Sequence, residues 1–200
     1  RAYVKQIGKI IDPTPLSEVQ WNQVELNTTR AQNQNTAALF ENHVLDVRAK
    51  KDSLGGVIRG AILNPEPGIG EPVFGKLHAQ LAHALFSINA VKGVSFGEGF
   101  DMSEKLGSEV NDAWTESGKK SNFSGGIQGG ISTGDPIYFD VVFKPTASIG
   151  QKQIMKSKEG IPTTQVIMGR HDPCVVPRAV PIVEAMTAIV YLDLWMRQGN

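Results

Sequence analysis

Glycine and proline interrupt this chain at short intervals and divide it into segments of alternating helical and strand periodicity. The 21 glycines and 11 prolines are unevenly placed. They mark turns and loops between segments and do not form a low-complexity tract. Between them the order helix, strand, loop, helix, strand recurs, which is typical of layered α and β structure. We found no internal repeat.

The periodicity of the segments predicts their secondary structure. It predicts strands at 2–7, 57–63, 91–96 and 137–143, a helix from Thr36 that carries Phe40, Val44 and Val47, and a helix with the stripe Phe74, Leu77, Leu81 and Leu85. The segment 181–192 is apolar nearly all round, which predicts a buried helix. Residues 65–72 are too rich in proline for a helix or central strand, and residues 13–36 suit a surface connection.

Composition excludes several classes of function. Twenty Lys and Arg balance twenty Asp and Glu, so the chain lacks the excess positive charge of nucleic-acid and anionic-membrane binders. The one cysteine, Cys174, permits neither an internal disulfide nor a multi-cysteine metal site. No segment fits a signal peptide or a membrane span. We expect no nucleic-acid, membrane or metal partner.

Three segments carry residues suited to chemistry, and each also has a purely structural explanation. The glycine cluster at 124–134 can expose backbone N–H groups to an anion, or simply join two strands by tight turns. Lys144 and the hydroxyls after it follow the end of a predicted strand. They could bind a phosphate, or they could simply be solvated side chains. Residues 169–174 place an arginine, a histidine, an aspartate and a cysteine together, as a binding site or as an ion-paired loop.

The remaining candidates favour packing roles. His171 and Cys174 lie on one short loop, whereas the base and nucleophile of a catalytic pair normally come from separate segments, so a buried inert thiol is expected. His78 and His83 are five residues apart and do not form a helical zinc motif. The tryptophans are scattered without basic residues between them, unlike a base-stacking platform.

Taken in order, these segments resemble chorismate synthase. The matching stretches are DSLGG at 52–56, GEPVFGKLHAQLAHALFSINAVKGVSFGEGF at 70–100, SNFSGGIQGGISTGDPI at 121–137, FKPTASI at 143–149 and GRHDPCVVPRAVPIVEAM at 169–186. The last is long and specific, whereas each glycine cluster alone would be weak. The resemblance is weakest at 13–36 and 101–120.

The resemblance implies a fold and an activity. It implies an α+β protein with a layered β-α-β sandwich, assembled as a homotetramer, and a 1,4-elimination of phosphate from 5-enolpyruvylshikimate 3-phosphate that gives chorismate. The reaction needs reduced FMN. Some members of the family reduce the flavin themselves with NADPH. The family is cytoplasmic, or plastidic where a transit peptide is present. Residues 1–200 are expected to be the C-terminal portion of a single domain.

Site residues follow from the matching motifs. The resemblance implies FMN contacts at Asn89, Ala90, Gly129, Lys144, Pro145, Thr146, Ala147, Ser148 and Arg170. Asp172 matches the aspartate proposed to act at flavin N5, and Arg178 matches a substrate-binding arginine. Reduced FMN is electron-rich and its phosphate is anionic, so hydrogen-bond donors and cations of this kind are suited to bind it.

The family's N-terminal motifs, with two catalytic histidines and further arginines, have no counterpart in this sequence. None of His43, His78 or His83 takes their roles, so we expect the 200 residues alone to be inactive. The alternative is a domain that binds flavin or assembles with other subunits without turnover. Smaller departures are Phe123, Ser95 and the ending LDLWMRQ.

Overall fold

The computed structural model describes residues 1–116, 118–169 and 171–198. The strands are β1 (Ala2–Ile7), β2 (Ile10–Ile11), β3 (Gly56–Ile62), β4 (Val91–Phe96), β5 (Trp114–Thr115), β6 (Gly118–Lys119), β7 (Ile127–Gln128), β8 (Ile131–Ser132), β9 (Ile137–Phe143), β10 (Lys152–Lys156) and β11 (Pro162–Val166). The helices are α1 (Gln34–Ala49), α2 (Leu77–Phe86), α3 (Gly107–Val110) and α4 (Val176–Arg197). Helices and strands are mixed along the chain and the main sheet is antiparallel, as in an α+β fold, which confirms the fold class.

The largest sheet of the described residues is antiparallel and has the order β2-β1-β3-β9-β4. One face buries Ile58 and Phe139 completely. Gly60 lies directly opposite Phe139, and a Cβ at position 60 would lie 2.3 Å from the phenylalanine ring. The large ring therefore requires glycine at this register. All four strands that periodicity predicts are present, within one residue at each end.

Helices α2 and α4 pack on this face of the sheet and complete a common core. Their fully buried side chains recur at helical spacing and are Leu77, Leu81 and Leu85 from α2 and Val176, Val180 and Val183 from α4. Helix α1 adds Phe40 to the same core and is capped by Asn33, whose side chain accepts a hydrogen bond from Thr36 N at 2.8 Å. This sheet and its helices form two adjacent layers.

The opposite face of the sheet carries charge. Asp140 accepts two hydrogen bonds from Arg59, at 2.7 and 2.8 Å, and one from Lys5 at 2.7 Å. Tyr3 is fully buried beside them and meets Trp21 edge to face, with ring centroids 5.7 Å apart. The charges are shared across three adjacent strands, so they fix the register as well as the polarity of this face.

The expectation that residues 13–36 form a surface connection is wrong for part of the segment. Val19 and Val24 pack on Tyr3 and are buried. Gln32 is also buried, and its Nε2 donates to Asp12 Oδ2 at 2.9 Å. Scattered apolar residues without a period gave no sign of this second small core.

Two helix predictions need correction. Phe74 is 90% exposed and precedes α2, because α2 begins only at Leu77. Helix α4 begins five residues before Pro181 and is not buried all round, since Ile182, Ile189, Leu192 and Met196 are exposed. In the described part of the chain, the sheet covers one side of α4 and no further layer covers the other.

Helix α4 also has the length and composition of a membrane span, with a mean hydropathy of 1.5 over 18 residues. A core helix of a water-soluble protein can meet the same criterion. Because α4 packs on β1, β3 and α2 through its buried side chains, the fold accounts for one side of the helix, but only 28% of the apolar window is buried.

Candidate functional site

The candidate site lies at the end of the sheet where β3 and β4 begin and β9 ends. Phe143 pairs with Gly56 on one side and with Val91 on the other, so the three adjoining loops meet there. Leu54 forms a parallel bridge with Cys174, and Leu54 N donates to Pro173 O at 2.7 Å. Four of the segments that the sequence singles out thus converge: 52–56, 89–90, 144–148 and 171–174.

Residues 89–90 and 144–148 form an exposed shelf, which we call the ledge. Lys144 N donates to Ala90 O at 3.0 Å and joins its two segments. Ala90 has a φ of 72°, which an L residue adopts only where its surroundings hold it. The Lys144 and Ser148 side chains are exposed, and neither bonds to another described residue. The ledge therefore presents a cation and a hydroxyl to the solvent side.

Side-chain hydroxyls fix the ledge to the neighbouring loops. Ser53 Oγ donates to Thr146 O at 2.7 Å, and Thr146 Oγ1 donates to Asp172 O at 2.9 Å. Gly55 is required here because a Cβ at position 55 would lie 2.3 Å from Phe143 O. The loop that contains Asp172 is thus held in direct contact with the ledge.

Asp172 is paired with Arg178. Its carboxylate is 24% exposed, with Oδ1 accepting from Cys174 N at 3.3 Å and Oδ2 facing the Arg178 guanidinium. Arg178 lies in the first turn of α4, so the helix position brings the cation to the carboxylate. The ion-paired loop that the sequence left open is therefore present, and it borders a cavity.

Two cavities adjoin this loop. The first has a volume of about 580 Å³ and is lined by Asp172, Arg178 and His171, together with Thr28, Thr29, Glu41, Val44, Leu45, Arg48, Pro173, Cys174 and Pro177. The second has a volume of about 440 Å³ and extends past Lys51 and Asp52 to residues 166–169. Both share Arg48, His171 and Pro173, so together they form one cleft beside the C-terminal end of α1.

His171 and Cys174 do not form a nucleophile and base. His171 Nε2 donates to Ile167 O at 2.8 Å. Cys174 is buried, and burial raises its pKa to about 11. The prediction that this thiol is buried is confirmed, and a thiol with so high a pKa stays protonated near neutral pH.

Gly129 lies apart from the ledge. It is in the tight turn between β7 and β8, the arrangement expected for a glycine cluster that joins two strands. Leu77 N donates to Gly130 O at 2.8 Å, so this turn adjoins the N-terminal end of α2, whereas residues 89–90 follow its C-terminal end. A helix of ten residues is about 15 Å long. Arg170 falls outside the described residues.

Sequence reasoning missed the part of the cleft that α1 and residues 28–29 supply. Glu41, Leu45 and Arg48 follow one another at four and three residues, so they share a face of α1 that lines the first cavity. The spacing of these residues is visible in the sequence. It did not indicate a binding site, because a helix face with charged residues usually contacts only solvent. In the described ranges, no three His, Cys, Asp or Glu side chains form a group that could hold a metal ion.

Comparisons with known proteins agree with one another. The family model described as chorismate synthase matches residues 1–196. Chorismate synthase of Christiangramia forsetii is 45% identical over 200 residues, and that of Synechocystis sp. is 47% identical over 201 residues. These matches cover 100% and 98% of this chain and 56% of each relative.

A solved structure titled as the crystal structure of chorismate synthase has a TM-score of 0.79 and 28% identity to this chain. It is matched over 98% of this chain and 56% of its own length. The chain thus spans a little over half the length of the relatives that it matches.

Proposed function

The chain belongs to the chorismate synthase family, and from this we propose that it carries the flavin-binding part of an enzyme that eliminates phosphate from 5-enolpyruvylshikimate 3-phosphate to give chorismate. The observation that carries the proposal is the convergence of four family motifs at one end of the sheet. Residues that are up to 120 positions apart in the sequence meet there, and two of the four segments, 52–56 and 171–174, also supply lining residues of the cleft.

The ledge fits the polar edge and phosphate of FMN. Lys144 offers an uncommitted cation, Ser148 a hydroxyl and Asn89 an exposed amide, and the hydrogen bonds of Thr146 and Ser53 hold the backbone in place. Pro145, Ala147 and Arg170 complete the set proposed to hold FMN. Reduced FMN, formed with NADPH-derived electrons, would supply electron density that eases the departure of phosphate.

Gly129 belongs to the proposed FMN set through its motif alone. Open space adjoins its Cα, so its backbone is accessible to a ligand. The length of α2 separates it from the ledge, and contact with the same flavin would therefore need the extended part of the cofactor or an adjoining subunit.

Asp172 and Arg178 are proposed to act on the substrate side of the cleft. The Asp172 carboxylate can accept a proton, and its contact with Arg178 stabilises its charge until it does so. Arg178 is 70% exposed as a side chain, so part of its guanidinium is free to bind a substrate carboxylate or phosphate. We further propose a homotetramer in the cytoplasm, or in a plastid if a transit peptide precedes residue 1.

A domain that binds flavin or assembles with other subunits, without turnover, is the second candidate. Turnover by the chain after fusion to the N-terminal part of a relative would distinguish the two functions.

The first test is an anaerobic titration of the 200-residue chain with reduced FMN, followed by flavin fluorescence. We expect Lys144→Ala to weaken FMN binding about tenfold, because a charge-assisted contact is lost. Lys158→Ala is the matched control, since Lys158 is exposed and lies outside the ledge. Equal affinities for the two variants would contradict the placement of FMN on the ledge.

The second test measures turnover. The chain is fused behind the N-terminal part of the Christiangramia forsetii enzyme and assayed for phosphate release from 5-enolpyruvylshikimate 3-phosphate. Turnover that Asp172→Asn abolishes supports the proposed enzyme. Flavin binding without turnover by a folded fusion supports the second candidate.

A further inference from the structure

We propose that Arg48 binds an oxyanion group, a phosphate or a carboxylate, at the point where the two cavities of the cleft meet. The inference rests on the proposed function and extends it to a residue that no matching motif contains. Its basis is the position of Arg48, which lines both cavities, while Asp172 and Arg178 line only the first.

The location of Arg48 on α1 directs it to this role. It lies in the last turn of the helix, where the partial negative charge of the free carbonyl groups stabilises the guanidinium but disfavours an anion, so the attraction for an oxyanion has to come from the guanidinium itself. The side chain is exposed, and it forms no ion pair with any residue in the described ranges. Its planar guanidinium can therefore donate two parallel hydrogen bonds to an incoming oxyanion.

The charge of the proposed substrate requires such a residue. A molecule with one phosphate and two carboxylates carries more negative charge than a single arginine can neutralise. Arg178, the other arginine of the first cavity, already contacts Asp172. Among the described residues that line the first cavity, Arg48 is thus the arginine without a carboxylate partner.

The neighbouring groups narrow the location of the oxyanion. Glu41 lines the first cavity and disfavours an anion beside it. At the junction, the lining residues are Arg48, His171 and Pro173, and Lys51 and the carboxylate of Asp52 follow in the second cavity. We therefore place the oxyanion beside Arg48 on the His171 side, at the junction between the two cavities and away from both Glu41 and Asp52.

The test compares Arg48→Ala, Arg48→Lys and Lys50→Ala in the fusion described above. Lys50 is the residue that follows the last residue of α1 and lines neither cavity, so its removal matches the charge change without touching the site. We expect Arg48→Ala to raise the KM for substrate about tenfold, Arg48→Lys to give an intermediate value, and Lys50→Ala to change nothing. Circular dichroism and thermal melts check that all three variants fold.

A second measurement identifies the source of the oxyanion. The affinities for FMN and for riboflavin, which lacks the phosphate, are compared in each variant. A tenfold loss for FMN but not for riboflavin would assign Arg48 to the flavin phosphate, and a raised KM with unchanged FMN affinity would assign it to the substrate. Unchanged KM and unchanged FMN affinity in Arg48→Ala would overturn the inference, whereas absence of turnover in the unsubstituted fusion would count against the proposed function instead.

Discussion

Cys174 shows how local backbone geometry determines the chemistry of one side chain. Its bridge to Leu54 and the hydrogen bond from its amide to Asp172 hold the residue at 7% exposure. The same two contacts place Asp172 at the edge of the cleft. A single strand bridge thus buries the thiol and holds a partly buried carboxylate beside the cleft.

We expect Cys174 to be almost unreactive in the folded chain. With its pKa raised to about 11, only about one thousandth of the thiol is ionised at pH 8. The rate of reaction with a chromogenic disulfide should rise at least about a hundredfold when the chain unfolds in guanidinium chloride. Because the chain has one cysteine, the signal has one source. Equal rates in the folded and unfolded chain would contradict this burial.

The same shift has a consequence for stability. The folded-state pKa of Cys174 lies above the unfolded value of 9.0, so the folded chain keeps this proton to higher pH. Its contribution to the free energy of unfolding is present below about pH 9 and is lost as the pH rises through about 11. Urea denaturation between pH 8 and 11 checks the direction.

Asp140 is the second residue from which a strong effect is expected. Asp140→Asn removes the carboxylate that Arg59 and Lys5 share on the half-buried face of the sheet. We expect a loss of about 3 kcal/mol in the free energy of unfolding, because two desolvated cations lose their partner. Glu25→Gln, in an exposed pair with Arg30, is the control and should cost less than about 0.5 kcal/mol. Urea denaturation followed by tryptophan fluorescence measures both, and similar losses would show that the Asp140 cluster is solvated.

At the level of elements, sequence periodicity predicted the strands more reliably than the exposed faces of the helices. The strands 2–7, 91–96 and 137–143 are present with those bounds, because glycine or polar turns delimit each of them. The length of α4 and its exposed side were missed, since an apolar sequence does not say which face is covered. Gly60 opposite Phe139 was also not foreseen, because it depends on the pairing of two distant strands.

Helix α4 offers a test with matched positions. Leu194 is 3% exposed and Leu192 is 53% exposed. We expect Leu194→Ala to lower the free energy of unfolding by about 2–4 kcal/mol, because it leaves a cavity in the core. Leu192→Ala should change it by less than about 0.5 kcal/mol. Since both changes replace leucine by alanine in one helix, helix propensity cancels. Equal losses would mean that another layer covers the outer side of α4.

For the whole molecule, the site was predictable to the extent that it depends on contiguous motifs. Residues 89–90, 144–148 and 171–174 were each singled out from the sequence. The pairing of β9 with β4 brings the first two segments together, and the bridge between Leu54 and Cys174 adds the third. The contribution of α1 to the cleft was not predictable, because it depends on how the helix lies against the loop at 171–174. Arg48 is the clearest example, since nothing in its sequence neighbourhood distinguishes it from a solvated arginine.

The balance of charge predicts a solubility minimum near neutral pH. The chain carries 20 basic and 20 acidic residues, and its isoelectric point is about 7.1. Without net repulsion, molecules that expose apolar side chains on α4 should associate most readily near this pH. Precipitation by polyethylene glycol at pH 5.5, 7 and 8.5 measures the effect. A solubility that rises steadily across this range would contradict the prediction.

The strand order also determines when the sheet can form during synthesis. Ile62 ends β3 and Ile137 begins the partner strand β9, 75 positions later. At about 5–20 residues per second, a ribosome needs roughly 4–15 s to make that interval. Throughout this time β3 can pair only with β1, and its other edge remains open to strands of neighbouring chains. The nascent chain is therefore most vulnerable to misassociation before β9 emerges, and a chaperone that covers the β1–β3 pair would have its largest effect in that interval.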